Sequence, residues 1–360
     1  MLHVFGVMDR GGAETRTLEL MRRFDRDRYA FDFLTLAGRP GAYDAEIAAL
    51  GGRVIPCSLR PAVSFAGRLV RSIGTGAYDV VHSHVHHFSG AVLLASRLAG
   101  VRVRVAHVHS THDGYASTWP RRGYRAAMRG LLARHATNVI GVSEAALESF
   151  WGRDWRATPG RAVVYDGIDT LPLARAASAR SSVRAELGLG EHTRMIIHVG
   201  RFDTPKNQAA LVPVATALAG RADDVVFVLA GDGPLRDRVR EAARDAGVLP
   251  MFRFLGTRSD VPRLLAAADL LVLPSRWEGL PGAVLEALGA GVAVVASPIA
   301  PVREIASRAR GVTTADPDDA RGFAMAIDAA LAPRARNERP TLPTMFTVDA
   351  SMQGVLACYE

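Results

Sequence analysis

Short runs rich in valine, isoleucine and leucine alternate along the chain with helix-length segments that carry more polar residues. Continuous apolar strands separated by helices are typical of parallel sheets covered by helices on both faces. The pattern therefore predicts an α/β protein with doubly wound sheets. The predicted strands lie at residues 2–7, 31–37, 53–57, 79–84, 103–109, 138–144, 162–167, 195–201, 225–231, 252–256, 270–275 and 292–297.

The strand pattern occurs twice, on either side of a segment of small and polar residues at 170–193. This segment is typical of a linker with a short helix. We expect a first domain at 1–180, a second at 181–340, and a C-terminal helix at 341–360 that packs back on the first domain. In such sheets ligands bind at the carboxyl ends of the strands, and two domains favour a site in the central cleft between them.

Composition is that of a globular protein, with 360 residues, 49% hydrophobic and 22% charged. The opening residues "MLHVFGVMDR" lack a basic segment before the apolar run and predict a strand, not a signal peptide. Glycines and prolines divide the long weakly polar run at 287–302, which argues against a membrane span. Cys57 and Cys358 lie far apart in the sequence and have no metal-ligand spacing. We therefore expect a cytoplasmic protein.

The net charge of +8 raises the question of an anionic partner. Nucleic acid is disfavoured, because aromatic and basic residues do not interleave in a recognisable module. The densest basic stretch is 121–135, where Arg122, Arg125 and Arg129 share one face of a predicted helix. That face is either simply solvated or in peripheral contact with an anionic membrane at its inner surface.

Glycines open a predicted helix in "MDRGGAET", residues 8–15, directly after the first strand. Gly11 and Gly12 would let a ligand approach the backbone, and the helix that starts near Glu14 would offer unpaired N–H groups to an anion. A plain turn is the alternative. The dinucleotide-binding pattern GxGxxG is absent here.

Histidines concentrate after the fourth and fifth strands, in "HSHVHH" (82–87) and "HVHSTH" (107–112). Alternate positions on a strand share a face, so His107 and His109 should lie together. No cysteine or patterned carboxylate accompanies them, which disfavours a metal site. Structural histidines and substrate-binding histidines both remain open, and His84, His107 and His109 are the candidates on the acceptor side.

Lys206 is the one lysine of a chain that has 44 lysines and arginines together. It lies in "GRFDTPKNQ", residues 200–208, where Arg201 and Lys206 flank a tight loop after a strand. Two cations at that position suit a diphosphate, and a compact ammonium differs in shape from a guanidinium fork.

Glu278 and Glu286 enclose a loop and the start of a helix in "EGLPGAVLE", with Pro281 suited to the first turn. A helix of about eight residues, the spacing from Glu278 to Glu286, rises about 12 Å. That separation is too large for the two carboxylates of a retaining glycosidase, which lie about 5–5.5 Å apart. The spacing suits one extended ligand with a hydroxylated group at each end. Glu286 lies in an apolar segment, where a carboxylate needs partners such as sugar hydroxyls.

The chain resembles the retaining nucleotide-sugar glycosyltransferases of family 4, which have the GT-B fold of two Rossmann-like domains, and in particular their polysaccharide-biosynthesis branch. The motif with seven residues between its glutamates, together with the upstream arginine and lysine, is the feature most specific to this family. The sequence "DGID" (166–169) stands where the family usually has "NGID". The matching pieces are "GGAE" (11–14), Arg201 with Lys206, "GDGP" (231–234), "FLG" (254–256), "EGLPGAVLE" (278–286), "DVVHSH" (79–84) and "RVAHVHST" (104–111).

The resemblance implies a role for each matching residue. Arg201 and Lys206 would hold the donor diphosphate with the backbone of Gly11 and Gly12, Glu286 would bind the ribose, and Glu278 the transferred sugar. His109 would lie near the reacting carbon. The backbone near Phe254 and Leu255 would bracket the base, and the remaining donor-side residues are Gly231, Gly279 and Leu280.

The function expected from these residues is transfer of a sugar, with retention and without a metal ion or other cofactor, from a nucleotide-diphosphate donor to a hydroxyl acceptor. A UDP-sugar is the expected donor. The acceptor is a glycan, a lipid-linked glycan or a small natural product. The alternatives are a sugar-nucleotide epimerase of the same fold and a non-catalytic sugar-nucleotide-binding protein.

Overall fold

The computed structural model describes residues 1–220, 225–332 and 340–360. These residues form two compact units, Met1–Gly167 with Val348–Glu360 (unit 1) and Ile168–Thr347 (unit 2). Each unit is an α/β domain built on a parallel sheet, which confirms the predicted fold class.

Unit 1 is built on a sheet whose seven described strands are ordered β3-β2-β1-β4-β5-β6-β7. Every pairing is parallel, and the order reverses direction between β1 and β4. Its elements are β1 (Leu2–Phe5), α1 (Gly12–Arg23), β2 (Asp32–Thr35), α2 (Asp44–Ala49), β3 (Arg53–Pro56), α3 (Ala62–Gly74), β4 (Val80–Ser83), α4 (Ser89–Leu98), β5 (Val103–Val108), α5 (Trp119–His135), β6 (Asn138–Gly141), α6 (Glu144–Trp151) and β7 (Arg161–Val163).

Unit 2 has a sheet of six described strands in the order β10-β9-β8-β11-β12-β13, again parallel, with the reversal between β8 and β11. Its elements are α7 (Leu171–Ala176), α8 (Arg180–Glu186), β8 (Arg194–Val199), α9 (Leu211–Leu218), β9 (Val225–Ala230), α10 (Arg236–Asp245), β10 (Phe252–Gly256), α11 (Val261–Ala267), β11 (Leu270–Leu273), α12 (Gly282–Gly289), β12 (Ala293–Ala296), α13 (Ala300–Ala306), β13 (Val312–Thr314) and α14 (Ala320–Leu331).

The boundary expected after residue 180 is too late, because the division falls after Gly167. Asp269, buried at the start of β11, explains the difference. Its carboxylate accepts from Arg180 at 2.8 Å and from the Met195 backbone N–H at 2.8 Å, and it lies 3.4 Å from Arg184. These contacts attach α8 to the unit 2 sheet, so the expected linker belongs to unit 2.

The last helix, α15 (Val348–Leu356), belongs to unit 1. Val348 and Val355 join the apolar cluster formed by Phe5, Phe33 and their neighbours. The division before α15 falls after Thr347, whereas the sequence predicted it after residue 340, next to residues 333–339, which lie outside the described ranges. Among the described helices, none is long and apolar enough to cross a membrane.

Candidate active site

The carboxyl ends of β8, β9 and β10 close tightly together around Gly231. The N–H of Gly231 donates to the Gly256 carbonyl at 2.8 Å, and the N–H of Gly200 donates to the Ala230 carbonyl at 3.0 Å. Gly231 has φ of 144°, and a Cβ there would overlap the Gly200 carbonyl. Only glycine fits this position, which leaves exposed backbone at the edge of the sheet where a ligand can approach.

Lys206 and Glu278 meet at the point where the strand order of unit 2 reverses. Lys206 follows β8 and Glu278 follows β11, and the Lys206 Nζ lies 2.7 Å from the Glu278 Oε1. Ser275 Oγ donates to the same Oε1 at 2.7 Å. Ligands of doubly wound sheets bind at such a reversal. The structure therefore brings together Lys206, which was predicted to bind the donor diphosphate, and Glu278, which was predicted to bind the transferred sugar of the same donor.

The two loops that carry this pair are fixed to each other by their backbones. Arg276 N–H donates to the Pro205 carbonyl at 2.7 Å, and the Asn207 side-chain amide donates to the Pro274 carbonyl at 3.1 Å. Asn207 holds a left-handed backbone conformation with φ of 53°. Asparagine adopts this conformation more readily than most residues other than glycine, so it suits the tight turn here. The lysine and the glutamate are thus positioned by a rigid double loop.

Arg201 differs from Lys206 in its exposure. The Arg201 side chain is 70% exposed and bonds Asp203 at 2.9 Å, whereas the Lys206 side chain is 22% exposed. Arg201 therefore has freedom to turn towards an anion, and Lys206 is already seated.

The other donor-side candidates lie on the same unit. Glu286 is half-buried on α12, which begins at Gly282 with Pro281 as its N-cap, one residue earlier than a first-turn position. Phe254, half-buried at the end of β10, packs 6.0 Å from Phe202 between ring centroids. Leu255 and Leu280 are also half-buried, and Gly279 is buried.

In unit 1 the predicted anion seat is covered by the chain's own carboxylate. Helix α1 begins at Gly12, and the Glu14 side chain folds back so that a Cβ on Gly11 would overlap it. Burial raises the pKa of Glu14, an effect larger than the opposing ones of its backbone hydrogen bond and of nearby His109. Gly12 faces open space. A diphosphate at Gly11 would have to displace this carboxylate.

Five histidines from β1, β4 and β5, and from the residues that follow the last two strands, form one buried row in unit 1. Neighbouring rings lie 4.0–5.2 Å apart between centroids in the contacts of His3 with His84, His82 with His84, and His107 with His109. Desolvation lowers the pKa of His3 to about 3 and keeps the pKa of His82, His84 and His107 well below the ordinary value. These four imidazoles are therefore neutral at physiological pH.

A hydrogen-bonded chain runs through this row to His109. His3 Nδ1 lies 3.0 Å from His84 Nε2, and His84 Nδ1 lies 2.8 Å from His109 Nε2. His109 Nδ1 faces Asp166 Oδ2 at 3.5 Å. Nε2 of His109 is thus hydrogen-bonded, and its Nδ1 has no hydrogen-bond partner among the described residues but faces the carboxylate of Asp166, the first residue of "DGID".

His107 lies on the same face of β5 as His109, as alternation predicts, but in a different setting. It is 4% exposed, and neither of its ring nitrogens has a hydrogen-bond partner among the described residues. It therefore contributes to the packing of the row and presents no nitrogen to solvent.

A metal ion fits this row poorly. Two triads, His3 with His82 and His84, and His84 with His107 and His109, have nitrogens within 4.8 Å of one another. Ligands at about 2.0–2.1 Å from a tetrahedral zinc would be about 3.3 Å apart, whereas His84 and His109 stand at the 2.8 Å of a hydrogen bond. Nearly stacked rings also direct their lone pairs side by side instead of towards one point.

Several residues of the site escaped the sequence reasoning. Ser275 lies far from Lys206 in the sequence, although the strands before them, β8 and β11, are neighbours in the sheet. Asp166 is visible in the sequence only as a departure from a family motif. His3 has a usable signal, since it stands on β1 directly opposite His82 in the register. In the sequence, His3 stands out as a histidine inside an apolar strand, two residues before Phe5.

Two doubly wound units, each with a reversal of strand order and polar residues at that reversal, are the architecture of the GT-B fold. Two family models match, "Glycosyltransferase Family 4" over residues 10–170 and "Glycosyl transferases group 1" over residues 193–332. The chain belongs to glycosyltransferase family 4.

Named relatives agree with this assignment. The putative glycosyltransferase EpsF of Bacillus subtilis (strain 168) is 35% identical over 82% of this chain and 78% of its own. The capsular polysaccharide biosynthesis glycosyltransferase CapH of Staphylococcus aureus is 25% identical over 83% of this chain and 81% of its own. The crystal structure of Anabaena Alr3699/HepE in complex with UDP and glucose has a TM-score of 0.80 and 21% identity, over 99% of this chain and 98% of that one.

Proposed function

We propose that this glycosyltransferase transfers a sugar from UDP to a hydroxyl group of a glycan, a lipid-linked glycan or a small natural product, with retention and without a metal ion. The observation that carries the proposal is the Lys206–Glu278 pair, with Nζ and Oε1 2.7 Å apart at the strand reversal of unit 2. The UDP complex of HepE supports the choice of nucleotide.

The diphosphate is the leaving group, and its charge grows as the sugar departs. Lys206 and Arg201 would stabilise that charge, a task for which many other transferases use a metal cation. Arg201 is exposed and can turn. Glu278, held by Lys206 and Ser275 before the donor arrives, would accept hydrogen bonds from hydroxyls of the transferred sugar.

The position of Glu278 argues against a covalent glycosyl-enzyme intermediate, and retention is proposed from the family resemblance. Glu278 is held by two donors on one oxygen, so its position suits hydrogen bonding and not nucleophilic attack. The proposed route is attack by the acceptor hydroxyl on the face that the diphosphate leaves, as the family resemblance implies. Glu286 on α12 would bind the ribose, and the backbone at Phe254 and Leu255 the base.

Unit 1 would supply the acceptor side through His109, supported by His84. The His109 ring is hydrogen-bonded to His84 at 2.8 Å and has the Asp166 carboxylate 3.5 Å from its Nδ1. His109 can release the bond to His84 to a substrate hydroxyl, and a hydrogen bond of this kind fixes the tautomer of the ring.

Titration calorimetry with UDP and with UDP-glucose tests the donor assignment. Glu286→Ala should weaken UDP binding, because a hydrogen bond to a charged group contributes about 1.5–3 kcal/mol. Glu278→Ala should keep the affinity for UDP and lose the added affinity for UDP-glucose. Equal loss of UDP affinity in both variants would contradict the assigned positions.

A further inference from the structure

A cavity of about 320 Å³ in unit 1 lies beyond the residues assigned so far. Its walls come from the loop after β4, the loop after β5, α5 and α6. The loop after β4 carries His84 and then His86 and His87, and the loop after β5 carries His109 and then Thr111. The cavity is thus the continuation of the acceptor-side histidines along both loops. Its lining residues are His86, His87, Thr111, His112, Asp113, Arg122, Arg125, Arg129, Ser149 and Phe150.

The cavity's arginines outnumber its carboxylates. Arg122, Arg125 and Arg129 line it, and Asp113 is its one acidic residue. His86 and His87 add no charge at physiological pH, because desolvation lowers their pKa to about 4 and about 3. The lining therefore carries a net positive charge in a concave site, which raises the local concentration of anions.

Asp113 does not neutralise all of these arginines, because its oxygens are committed. Its side chain is 4% exposed and accepts from Arg125 at 2.6 Å and from Arg121 at 2.8 Å. Burial alone would raise its pKa, but the hydrogen bonds from Arg125 and Arg121 outweigh this and hold the pKa well below the ordinary value. The aspartate stays ionised and clamps these two guanidinium groups.

Arg121 is also fixed by stacking, with its guanidinium 4.1 Å from the ring centroid of Tyr115 and 4.6 Å from that of Tyr124. The two other arginines have donors to spare. Arg129 donates through Nη1 to the Phe150 carbonyl at 3.3 Å. The exposed Arg122 side chain has no hydrogen-bond or ion-pair partner among the described residues. Clamped arginines thus stand beside two that are available.

Two histidines of the lining carry buried nitrogens without a partner. The Nδ1 atoms of His86 and His87 have no hydrogen-bond partner among the described residues. His86 also holds a left-handed backbone conformation with φ of 50°, which histidine adopts more often than most residues. Buried polar atoms without a partner cost free energy, which a bound ligand can recover by hydrogen bonding.

We propose that this cavity binds a phosphate or diphosphate group of the acceptor, with Arg122 and Arg129 as its ligands. Guanidinium forks match phosphate oxygens in pairs, which makes arginine the favoured residue for such a site. The proposal rests on the proposed function, since it assumes that unit 1 binds the acceptor. The phosphate can be borne by a lipid or by a soluble molecule.

Calorimetry with inorganic pyrophosphate, in saturating UDP to fill the donor site, tests the cavity directly. The parent should bind pyrophosphate saturably, and Arg122→Gln/Arg129→Gln should weaken that binding at least about tenfold. The matched control is Arg71→Gln/Arg97→Gln, which removes the same charge from exposed positions on α3 and α4 of the same unit and should bind like the parent. Arg122→Gln alone, at an exposed side chain, should show a smaller loss without disturbing the fold.

Equal pyrophosphate affinity in the cavity variant and the control variant would overturn the proposal, as would the absence of saturable binding in the parent. UDP affinity, measured separately, reports on the proposed function, so failure there is distinguishable from failure of the cavity. The proposal would also be overturned if the cavity variant lost binding to anionic phosphatidylglycerol vesicles but kept the parent's pyrophosphate affinity. That result would mean that the arginines contact an anionic bilayer surface.

The source of the phosphate is resolved by neutral phosphatidylcholine vesicles that carry a polyprenyl diphosphate. Binding to these vesicles that pyrophosphate displaces, and that the cavity variant loses, supports a lipid-borne acceptor. Saturable pyrophosphate binding in solution without vesicle binding supports a soluble phosphorylated acceptor.

Discussion

Lys206 is the residue on which the donor site depends most, because it is seated against Glu278 before any ligand is present. An ammonium can turn its three donors between a carboxylate and a diphosphate. A guanidinium at the same position would form a planar pair with Glu278 and would compete with Ser275 for its oxygen. The shape of the cation, and not only its charge, should therefore matter.

Lys206→Arg should lose at least about tenfold in kcat/KM, a cost of about 1.4 kcal/mol in transition-state stabilisation. Lys206→Ala should lose more, and UDP should raise its melting temperature less than the parent's, because stabilisation by a ligand follows its affinity. Steady-state kinetics and thermal melting measure both. The control is Arg238→Lys on the exposed face of α10. Parent-like kinetics in Lys206→Arg would reduce the lone lysine to a chance of composition.

His109 and His107 are separated by one residue, and we expect opposite outcomes when each is replaced by alanine. His109→Ala should fold and transfer sugar about 10²-fold more slowly or worse, since a positioned imidazole contributes about 10²–10⁴-fold. His107→Ala should keep transfer and change stability, because His107 is buried and packs its ring against other histidines of the row. Turnover and urea unfolding of both variants measure this. A large loss of turnover in His107→Ala alone would move the role two residues upstream.

At the scale of elements, β1, β4 and β5 place their histidines on one buried face. In the folded protein these imidazoles stay neutral because desolvation lowers their pKa, to about 3 for His3. In the unfolded chain they take up protons below about pH 6.5. The unfolded state then binds more protons as the pH falls from about 6.5 towards 3, so the free energy of unfolding decreases over that interval.

Each such histidine should contribute a slope of up to about 1.4 kcal/mol per pH unit. His3→Phe, which keeps a ring beside Phe31 and Phe33, should reduce the slope by about that amount. The exposed His192→Gln of unit 2 serves as the matched control. Urea unfolding between about pH 7 and about pH 5 measures the slopes. Identical slopes in His3→Phe and in the parent would contradict the burial of a neutral His3.

The apolar runs were sufficient to place most strands, because parallel strands in a doubly wound sheet are buried on both sides. The exception is β13 at Val312–Thr314, an edge strand with two exposed threonines that offers no apolar run. The end of β10 was predicted correctly, and the other strand ends were predicted one to four residues too late. One reason is that buried residues such as Pro274 and Ser275 continue past the last ladder bond.

The candidate site was predictable in part. The loops after strands mark where polar residues gather, so Lys206, Glu278, His84 and His109 could be named. The contacts between them could not, because they join residues far apart in sequence. The Glu14 carboxylate over Gly11 likewise depends on a side-chain conformation that no spacing reveals.

At the scale of the whole molecule, each unit places its functional candidates beside its own reversal of strand order. Unit 1 has His84 after β4, next to β1, and unit 2 has Lys206 and Glu278 after β8 and β11. The same architectural feature thus positions the proposed acceptor side and the proposed donor side. The central claim is that these two sides carry out retaining transfer without a metal ion.

That claim is tested most directly by the product formed from an α-linked UDP-sugar, with its anomeric configuration read by NMR, in the presence and absence of EDTA. The account predicts an α-linked product and a rate that EDTA does not abolish, because Arg201 and Lys206 stabilise the leaving diphosphate. A β-linked product, or transfer that requires added Mg²⁺ or Mn²⁺, would contradict it.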